Sequence, residues 1–309
     1  MLRRTLEGTD LELPAVGFGA APLGDEYGAL AQQEAVRIVR AALDFGIDYF
    51  DTSPYYGRTL SESRLGRALA GVRDRAVIST KAGRYDRDYP GGFDFSRGRI
   101  TASIEESLKR LRTNYVDIVF LHDIEFGALS MILDDALPAL MDARDAGKAR
   151  YVGVSGYPLE ILVEVVETGA VDAVLSYCHG DLLDDSVVEV LVPAARAHGC
   201  GVVSASPLHM GLLSPTGPPQ WHPAGPERRR AARALIDHCE DMGVPVAAAA
   251  ISYAVDLAGP ASVLTGISSE AELTACVAAA RDPVDRGLLD DLVARRNRFD
   301  GRPWSSGIR

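Results

Sequence analysis

Tyr49-Phe50-Asp51-Thr52-Ser53-Pro54-Tyr55-Tyr56-Gly57 is a short apolar run that ends in an acid and opens into a tyrosine-rich loop. The same grammar recurs twice downstream. Val77-Ile78-Ser79-Thr80 ends in Lys81, and Ile118-Val119-Phe120-Leu121 ends in His122. Each run reads as a buried strand, and a helix-like segment separates it from the next. Strands alternating with helices imply a parallel sheet. In parallel α/β folds chemistry collects at the carboxyl ends of strands. An acid, an amine and an imidazole delivered there by successive strands converge on one cleft.

Outward from these three, the pattern covers the chain. Strands are expected at Ala15–Phe18, Ile47–Phe50, Ala76–Thr80, Ile118–Leu121, Tyr151–Val154, Val171–Leu175, Gly201–Ser204 and Ser262–Leu264. Before them, Glu7-Gly8-Thr9-Asp10 sits between short alternating runs and predicts a β-hairpin. Helical periodicity marks Gln33–Phe45, a segment opening at Ser61, and one capped by Thr101 with acids early and bases late. It continues at Leu129–Ala146, Leu159–Thr168, Ser186–His198, Pro226–Met242, Val244–Val255, Ala271–Ala280 and Asp285–Arg298. Eight strands, each followed by a helix, favour a (β/α)8 TIM barrel with an N-terminal β-hairpin and extra C-terminal helices. A doubly wound sheet is the alternative, but Gly17-Phe18-Gly19 runs into Ala20-Ala21-Pro22 and lacks the glycine-rich dinucleotide turn. No repeat or linker is visible, so the expectation is one domain over residues 1–309.

Composition narrows the class. An apolar content of 47% supports a full core, and a net charge of -11 argues against phosphate-backbone binding. Cys178, Cys200, Cys239 and Cys276 are scattered, which reads as buried reduced thiols. The N-terminus has no signal-peptide core, and Val244–Val255 is too short to span a bilayer. A cytoplasmic enzyme acting on a small molecule is expected, with oligomeric state open. Long loops at residues 82–98 and 207–225 follow strands and so belong to the catalytic face. The tail, residues 299–309, holds Trp304.

The chemistry centres on Tyr56. A free phenol titrates near pH 10. A cation at about 4 Å, with an effective dielectric near 20, is worth about 4 kcal/mol, enough to lower that value by about three units. Lys81 can supply the charge if Asp51 keeps it protonated, and His122 can orient a substrate oxygen. A phenol tuned in this way exchanges a proton with an alcohol or alkoxide. That is the proton half of a hydride transfer, and the hydride half needs a nicotinamide. The bland reading of each residue is a helix cap, a snorkelling lysine and a satisfied His122-Asp123 pair. Three potential reactants on three consecutive strands outweigh it.

Asp51-Thr52-Ser53-Pro54-Tyr55-Tyr56-Gly57, Ser79-Thr80-Lys81 and Leu121-His122 together resemble the aldo-keto reductases. The resemblance implies a (β/α)8 barrel and an Asp51–Tyr56–Lys81–His122 catalytic tetrad, the family's spacing selecting Tyr56 over Tyr55. It further implies cofactor contacts from Gly19, Ala21, Asp51, Ser155, Ser176, Ser206, Leu208, Gly211, Gly266, Ser268, Ser269 and Glu272. Leu175-Ser176-Tyr177-Cys178-His179, Ser204-Ala205-Ser206-Pro207-Leu208 and Trp304-Ser305-Ser306-Gly307 resemble the L-galactose and aldose 1-dehydrogenase branch, whose members oxidise a sugar at C1 with NAD. Substrate contacts are then expected from Tyr56, His122 and Trp304, with Trp221 and Tyr89 as further walls. The chain departs from family habit at Ala205, where many relatives place a ring-stacking tyrosine. It departs again at Gly156 and Val174, and at Ala275-Cys276.

Residues 265–280 contain no base, and Glu272 stands where NADP-using relatives often carry arginine. A 2'-phosphate needs a basic partner, so NAD is expected over NADP. The rivals are an NADPH-dependent aldehyde or ketone reductase and a cofactor-binding regulatory subunit. A metal-dependent hydrolase using His122, His179, His209 and His222 is disfavoured by the lack of paired ligands, so no metal is expected.

Overall fold

A computed structural model describes residues 1–299 and 303–308. Strands β1 (Arg3–Thr5) and β2 (Glu12–Pro14) form the antiparallel hairpin, with Arg4 opposite Leu13. The next eight strands are β3 (Val16–Gly19), β4 (Tyr49–Asp51), β5 (Val77–Ala82), β6 (Val116–Leu121), β7 (Ala149–Gly156), β8 (Ala173–Tyr177), β9 (Gly201–Ala205) and β10 (Ser262–Gly266). They are parallel and close into a barrel in sequence order, with β10 pairing β3. All eight expected strands are present within a few residues of their expected ends.

The strand sequences make two cores by simple alternation. One row, including Tyr49, Ile118, Phe120, Ala173, Leu175, Val203 and Leu264, packs inside the barrel. The other row, including Phe18, Phe50, Ile78, Val119, Val152, Val174, Val202 and Val263, packs outward against the helices. Leu6, Leu11 and Leu13 of the hairpin join the inner cluster and floor the barrel from below. The open end of the barrel is the mouth at the carboxyl ends of the strands. A separate cluster holds the added helices Pro226–Asp241, Val246–Asp256 and Arg286–Arg296 together through Leu235, Ile236, Cys239, Val246, Leu289 and Leu292.

Three helix expectations need correction. Thr101 does not cap its helix, which runs Arg97–Leu111 with Ser96 at the N-cap. Thr101 lies one turn inside and its hydroxyl donates to the Arg97 carbonyl. The segments expected as the helices Leu129–Ala146 and Ser186–His198 each contain a π turn, Ile132–Ala136 and Val187–Leu191. Each π turn is followed within two residues by a proline, Pro138 or Pro193. A proline inside a helix removes the N–H that the carbonyl four residues back would bond, and a wider turn absorbs the mismatch.

All four cysteines are buried and free. No described helix is long and apolar enough to cross a membrane.

Candidate active site

The strand register explains why three reactive residues meet. Asp51 pairs with Ser79, and Lys81 lies two residues further along β5. Lys81 pairs with Phe120, and His122 lies two residues beyond that. A step of two preserves the side of the sheet, so each residue continues the inward row of its strand. Asp51, Lys81 and His122 therefore climb the inside of the barrel mouth like a stair.

Lys81 is 2% exposed and forms an ion pair with Asp51 Oδ2. Its ammonium also donates to the Thr52 carbonyl at 3.0 Å and to Tyr56 Oη at 3.2 Å. All three N–H bonds of the lysine are thereby used. Since Tyr56 accepts from Lys81, its own O–H is left to point at a ligand. Asp51 is held from behind. Its Oδ1 accepts from Ser79 Oγ at 2.7 Å, and Ser79 in turn accepts from Tyr49 at 3.1 Å. His122 closes the group. Its ring stands edge-on to Tyr56 with centroids 5.7 Å apart, and Nδ1 lies 3.0 Å from Ser53 Oγ. Ser53 Oγ accepts from the Tyr55 amide at 3.1 Å, so its hydrogen is available to His122 Nδ1. That arrangement places the ring proton on Nε2, the nitrogen not used by Ser53.

The electrostatics correct one expectation. Burial, followed by the charges of Asp51 and Asp123, raises the Tyr56 phenol well above its usual range. Burial and the two carboxylates outweigh the neighbouring cations in the resting protein. Tyr56 thus rests as a proton donor. Burial, helped by Lys81 and Arg84, lowers His122 well below the usual imidazole range, so the ring is neutral.

Three groups at the mouth were not foreseen. Arg84, three residues beyond Lys81, forms an ion pair with Asp123. Its guanidinium lies 3.9 Å from the centre of the Tyr55 ring. Asp123, expected from the sequence as a loop partner of His122, has its Oδ2 3.8 Å from His122 Nε2. Glu125 is 2% exposed and accepts from the Tyr157 amide and from Ser306 Oγ at 2.9 Å. Burial, then repulsion from Asp123, pushes its carboxyl up to about 8. A side chain at Gly156 would put its Cβ 2.6 Å from Glu125 Oε2, which explains the glycine there.

The remaining expected residues are placed unevenly. Gly19 and Gly266 pair across β3 and β10, leaving bare backbone at that rim. Ala21 opens a short 3-10 turn over the end of β3. Ser155 is on the inward row of β7 and donates to the Leu121 carbonyl. Ser176 is on the outward row of β8, its buried hydroxyl without a protein partner, so it does not join the cleft-facing row. Ser206, Leu208 and Gly211 follow β9 in a tight loop with left-handed backbone at Ser206 (φ 63°) and Gly211 (φ 91°). Ser269 Oγ caps the helix Glu270–Arg281, accepting from the Glu272 amide. Glu272 folds back to accept from the Ser268 amide at 2.7 Å and hydroxyl at 2.8 Å. A carboxylate thus already occupies this helix N-terminus, where an anion is favoured. Cys276 is buried, while Ala275 faces out.

Trp304 stacks on Tyr157 with centroids 4.1 Å apart and planes 11° apart, and His209 and His222 meet it edge-on. One face of the indole is therefore covered. Trp221 and Tyr89 are exposed and pack on Tyr27 and Phe93 respectively. His209 Nδ1 bonds Asp181 at 2.7 Å while Nε2 meets Arg228 at 3.0 Å. His222 Nε2 donates to the His209 carbonyl, and its Nδ1 accepts from the Ala224 amide. These rings serve a buried hydrogen-bond network. Cys178 lies beside Asp181 and His209 within metal-binding distance, but Arg228 already directs a positive charge at that cluster.

A barrel of eight parallel strands with an acid, lysine, tyrosine and histidine at its mouth defines an oxidoreductase scaffold. The chain belongs to the aldo/keto reductase family, whose model matches residues 15–289. It is 43% identical to an L-galactose dehydrogenase of Arabidopsis thaliana, over 99% of this chain and 97% of that one. It is 32% identical to a D-threo-aldose 1-dehydrogenase of a Pseudomonas species, over 93% and 95%. Among solved structures it is similar to an aldo-keto reductase from Bacillus halodurans in its holo form, with a TM-score of 0.80, 25% identity and 98% of both chains covered.

Proposed function

We propose that this chain oxidises an aldose of the L-galactose or L-fucose type at C1 to the lactone, with NAD as the hydride acceptor. The observation that carries this reading is Tyr56, held 3.2 Å from the Lys81 ammonium and edge-on to a neutral His122. A bound nicotinamide supplies the hydride acceptor. The chain's own residues handle the proton and the oxygen. His122 donates from Nε2 to the substrate O1 and fixes it. Tyr56, as the phenolate, takes the C1 hydroxyl proton while the C1–H electron pair leaves as hydride. Lys81 stabilises that phenolate at the moment it is needed, and Asp51 keeps Lys81 in place. Gly19 and Gly266 provide close backbone approach, and Glu272 favours an unphosphorylated ribose, which supports NAD over NADP.

The charge pattern supports a neutral substrate. Lys81 is paired with Asp51, Arg84 with Asp123, and Arg87 with Glu26. None of these cations is left over for a phosphate or carboxylate group. The relatives named for aldose oxidation agree in substrate class.

One observation favours the reverse direction. The resting phenol is protonated, as a reductase needs for protonating the oxygen of an aldehyde or ketone. A panel of aldoses with NAD and NADP, beside simple aldehydes with NADH and NADPH, separates the two. Rapid NAD reduction by L-galactose or L-fucose is expected. Turnover confined to aldehyde reduction would replace the aldose reading with the reductase one.

A further inference from the structure

We infer that Arg84 and Asp123 together recognise the hydroxyl on the carbon next to the reacting one, so that the site selects aldoses over their 2-deoxy analogues. This rests on the aldose reading above and adds to it a specificity device.

Both residues come from the strand ends that supply the reacting groups. Arg84 follows Lys81 by three residues, and Asp123 follows His122 directly. Asp123 Oδ2 lies 3.8 Å from His122 Nε2, too far for a hydrogen bond between them. Oxygens on adjacent carbons of a sugar sit about one hydrogen-bond length apart, roughly 2.8 Å. A substrate whose O1 is held by His122 can then reach Asp123 and Arg84 with its O2. The pair is built to receive it. Asp123 is 2% exposed, and the Arg84 side chain is 19% exposed. Arg84 Nε is buried and has no partner in the protein. The Tyr55 ring at 3.9 Å and the Phe93 ring at 5.3 Å set the plane of the guanidinium, so its donors are aimed in advance. A hydroxyl both donates and accepts. It can give its hydrogen to the carboxylate and take one from the guanidinium, and a 2-deoxy carbon can do neither.

The competing role is structural: the ion pair ties the loop after β5 to the end of β6. The two roles differ in what they do to a pair of substrates. Loss of a structural tie slows both sugars alike. Loss of recognition slows the 2-hydroxy sugar and spares the 2-deoxy one.

The test uses the full chain with NAD, measuring NADH formation with L-galactose and 2-deoxy-L-galactose. The wild type, Arg84→Met, Arg84→Lys and Asp123→Asn are compared, with circular dichroism to establish folding. The wild type should prefer L-galactose by about 10- to 100-fold in kcat/KM, the range for a buried donor left unpaired. Arg84→Met and Asp123→Asn should bring that ratio within about threefold of unity, chiefly by raising KM for L-galactose. Should Arg84→Met fail to fold, Arg84→Lys keeps the charge but lacks the Nε donor and the planar fork, and must still lower the ratio. A wild-type ratio near one, or a ratio preserved in folded variants, overturns the inference and leaves the aldose reading standing. Turnover of neither sugar by the wild type overturns the aldose reading and this inference with it.

Discussion

Replacing Glu272 by glutamine is predicted to raise affinity for NADPH with little change for NADH. Glu272 is exposed at the N-terminal end of the helix Glu270–Arg281, where its carboxylate takes the Ser268 amide and hydroxyl. An anion-favouring helix terminus is thus already filled by an anion. A 2'-phosphate carries close to two negative charges, as other phosphate monoesters do. Placed about 5 Å from one carboxylate in a water-like dielectric of about 80, it is repelled by about 1.7 kcal/mol. Ionic screening reduces this, so about 1 kcal/mol, or fivefold, is the expected gain at physiological salt. Glutamine keeps an oxygen acceptor for Ser268, so the helix start should survive, whereas alanine would lose it. Quenching or enhancement of NADH and NADPH fluorescence, titrated at low and high salt, gives both dissociation constants. The NADPH gain should be largest at low salt and fade as salt is added. An unchanged NADPH/NADH affinity ratio at low salt would refute the argument that Glu272 sets cofactor choice.

Tyr56→Phe should lower kcat by about 10²- to 10⁴-fold, the usual worth of a general acid-base group, while NADH binding stays within twofold; near-normal turnover would remove Tyr56 from the reaction. Because the resting phenol titrates above its ordinary range, sugar oxidation by the wild type should quicken as pH rises on the alkaline side, and carbonyl reduction should slow; a flat profile for both counts against the phenol. Asp51→Asn leaves the Lys81 charge buried without its partner, so a loss of about 3–5 kcal/mol is expected, read as a fall in chemical-denaturation midpoint. Glu125 binds its proton more tightly in the folded chain than in the unfolded one. Stability should therefore fall as pH rises from the ordinary glutamate range to about 8, by up to about 1.4 kcal/mol per unit, and Glu125→Gln should flatten melting temperature over that window.

The fold was legible because its pattern is long-range and redundant. Each strand end is a separate witness, and errors of one residue at Ala15 and two at Val171 leave the barrel intact. The reactive residues were legible for a related reason. A strand exposes its carboxyl end to the mouth, and the two-residue alternation already puts Asp51, Lys81 and His122 on the inward side. The π turns were not legible, since Pro138 and Pro193 sit in otherwise good helical periodicity and the backbone absorbs them without breaking the apolar stripe. Thr101 misled because Ser, Thr and Asp favour caps, while the actual start at Arg97 follows Ser96 four residues earlier. Arg84, Asp123 and Glu125 lacked any periodic signal. Their roles arise from pairing across loops, which sequence separation hides. The depressed phenol failed for a simpler reason: the cation beside it was counted, and the cost of burying the phenolate was not.

That miscount points to how the site is organised. Each charge at the mouth comes from one strand end and is neutralised from the next: Asp51 of β4 by Lys81 of β5, and Arg84 after β5 by Asp123 after β6. The two pairs run in opposite senses around the barrel, and His122 lies near both, with Asp123 Oδ2 close to both its ring and Arg84. Burial, helped by the two cations, keeps the ring neutral. A neutral imidazole donates one hydrogen bond without adding a charge that would compete with Lys81 for the forming phenolate. Burial then acts on all of these groups together. It makes ionising Tyr56 costly at rest and makes each fixed dipole stronger once a ligand displaces water. A site of zero net charge with strong local dipoles binds an uncharged polyol well and a phosphorylated or carboxylated one poorly. Under the proposed aldose reading, the pairing of strand ends argues for an uncharged substrate more firmly than any single residue at the mouth does.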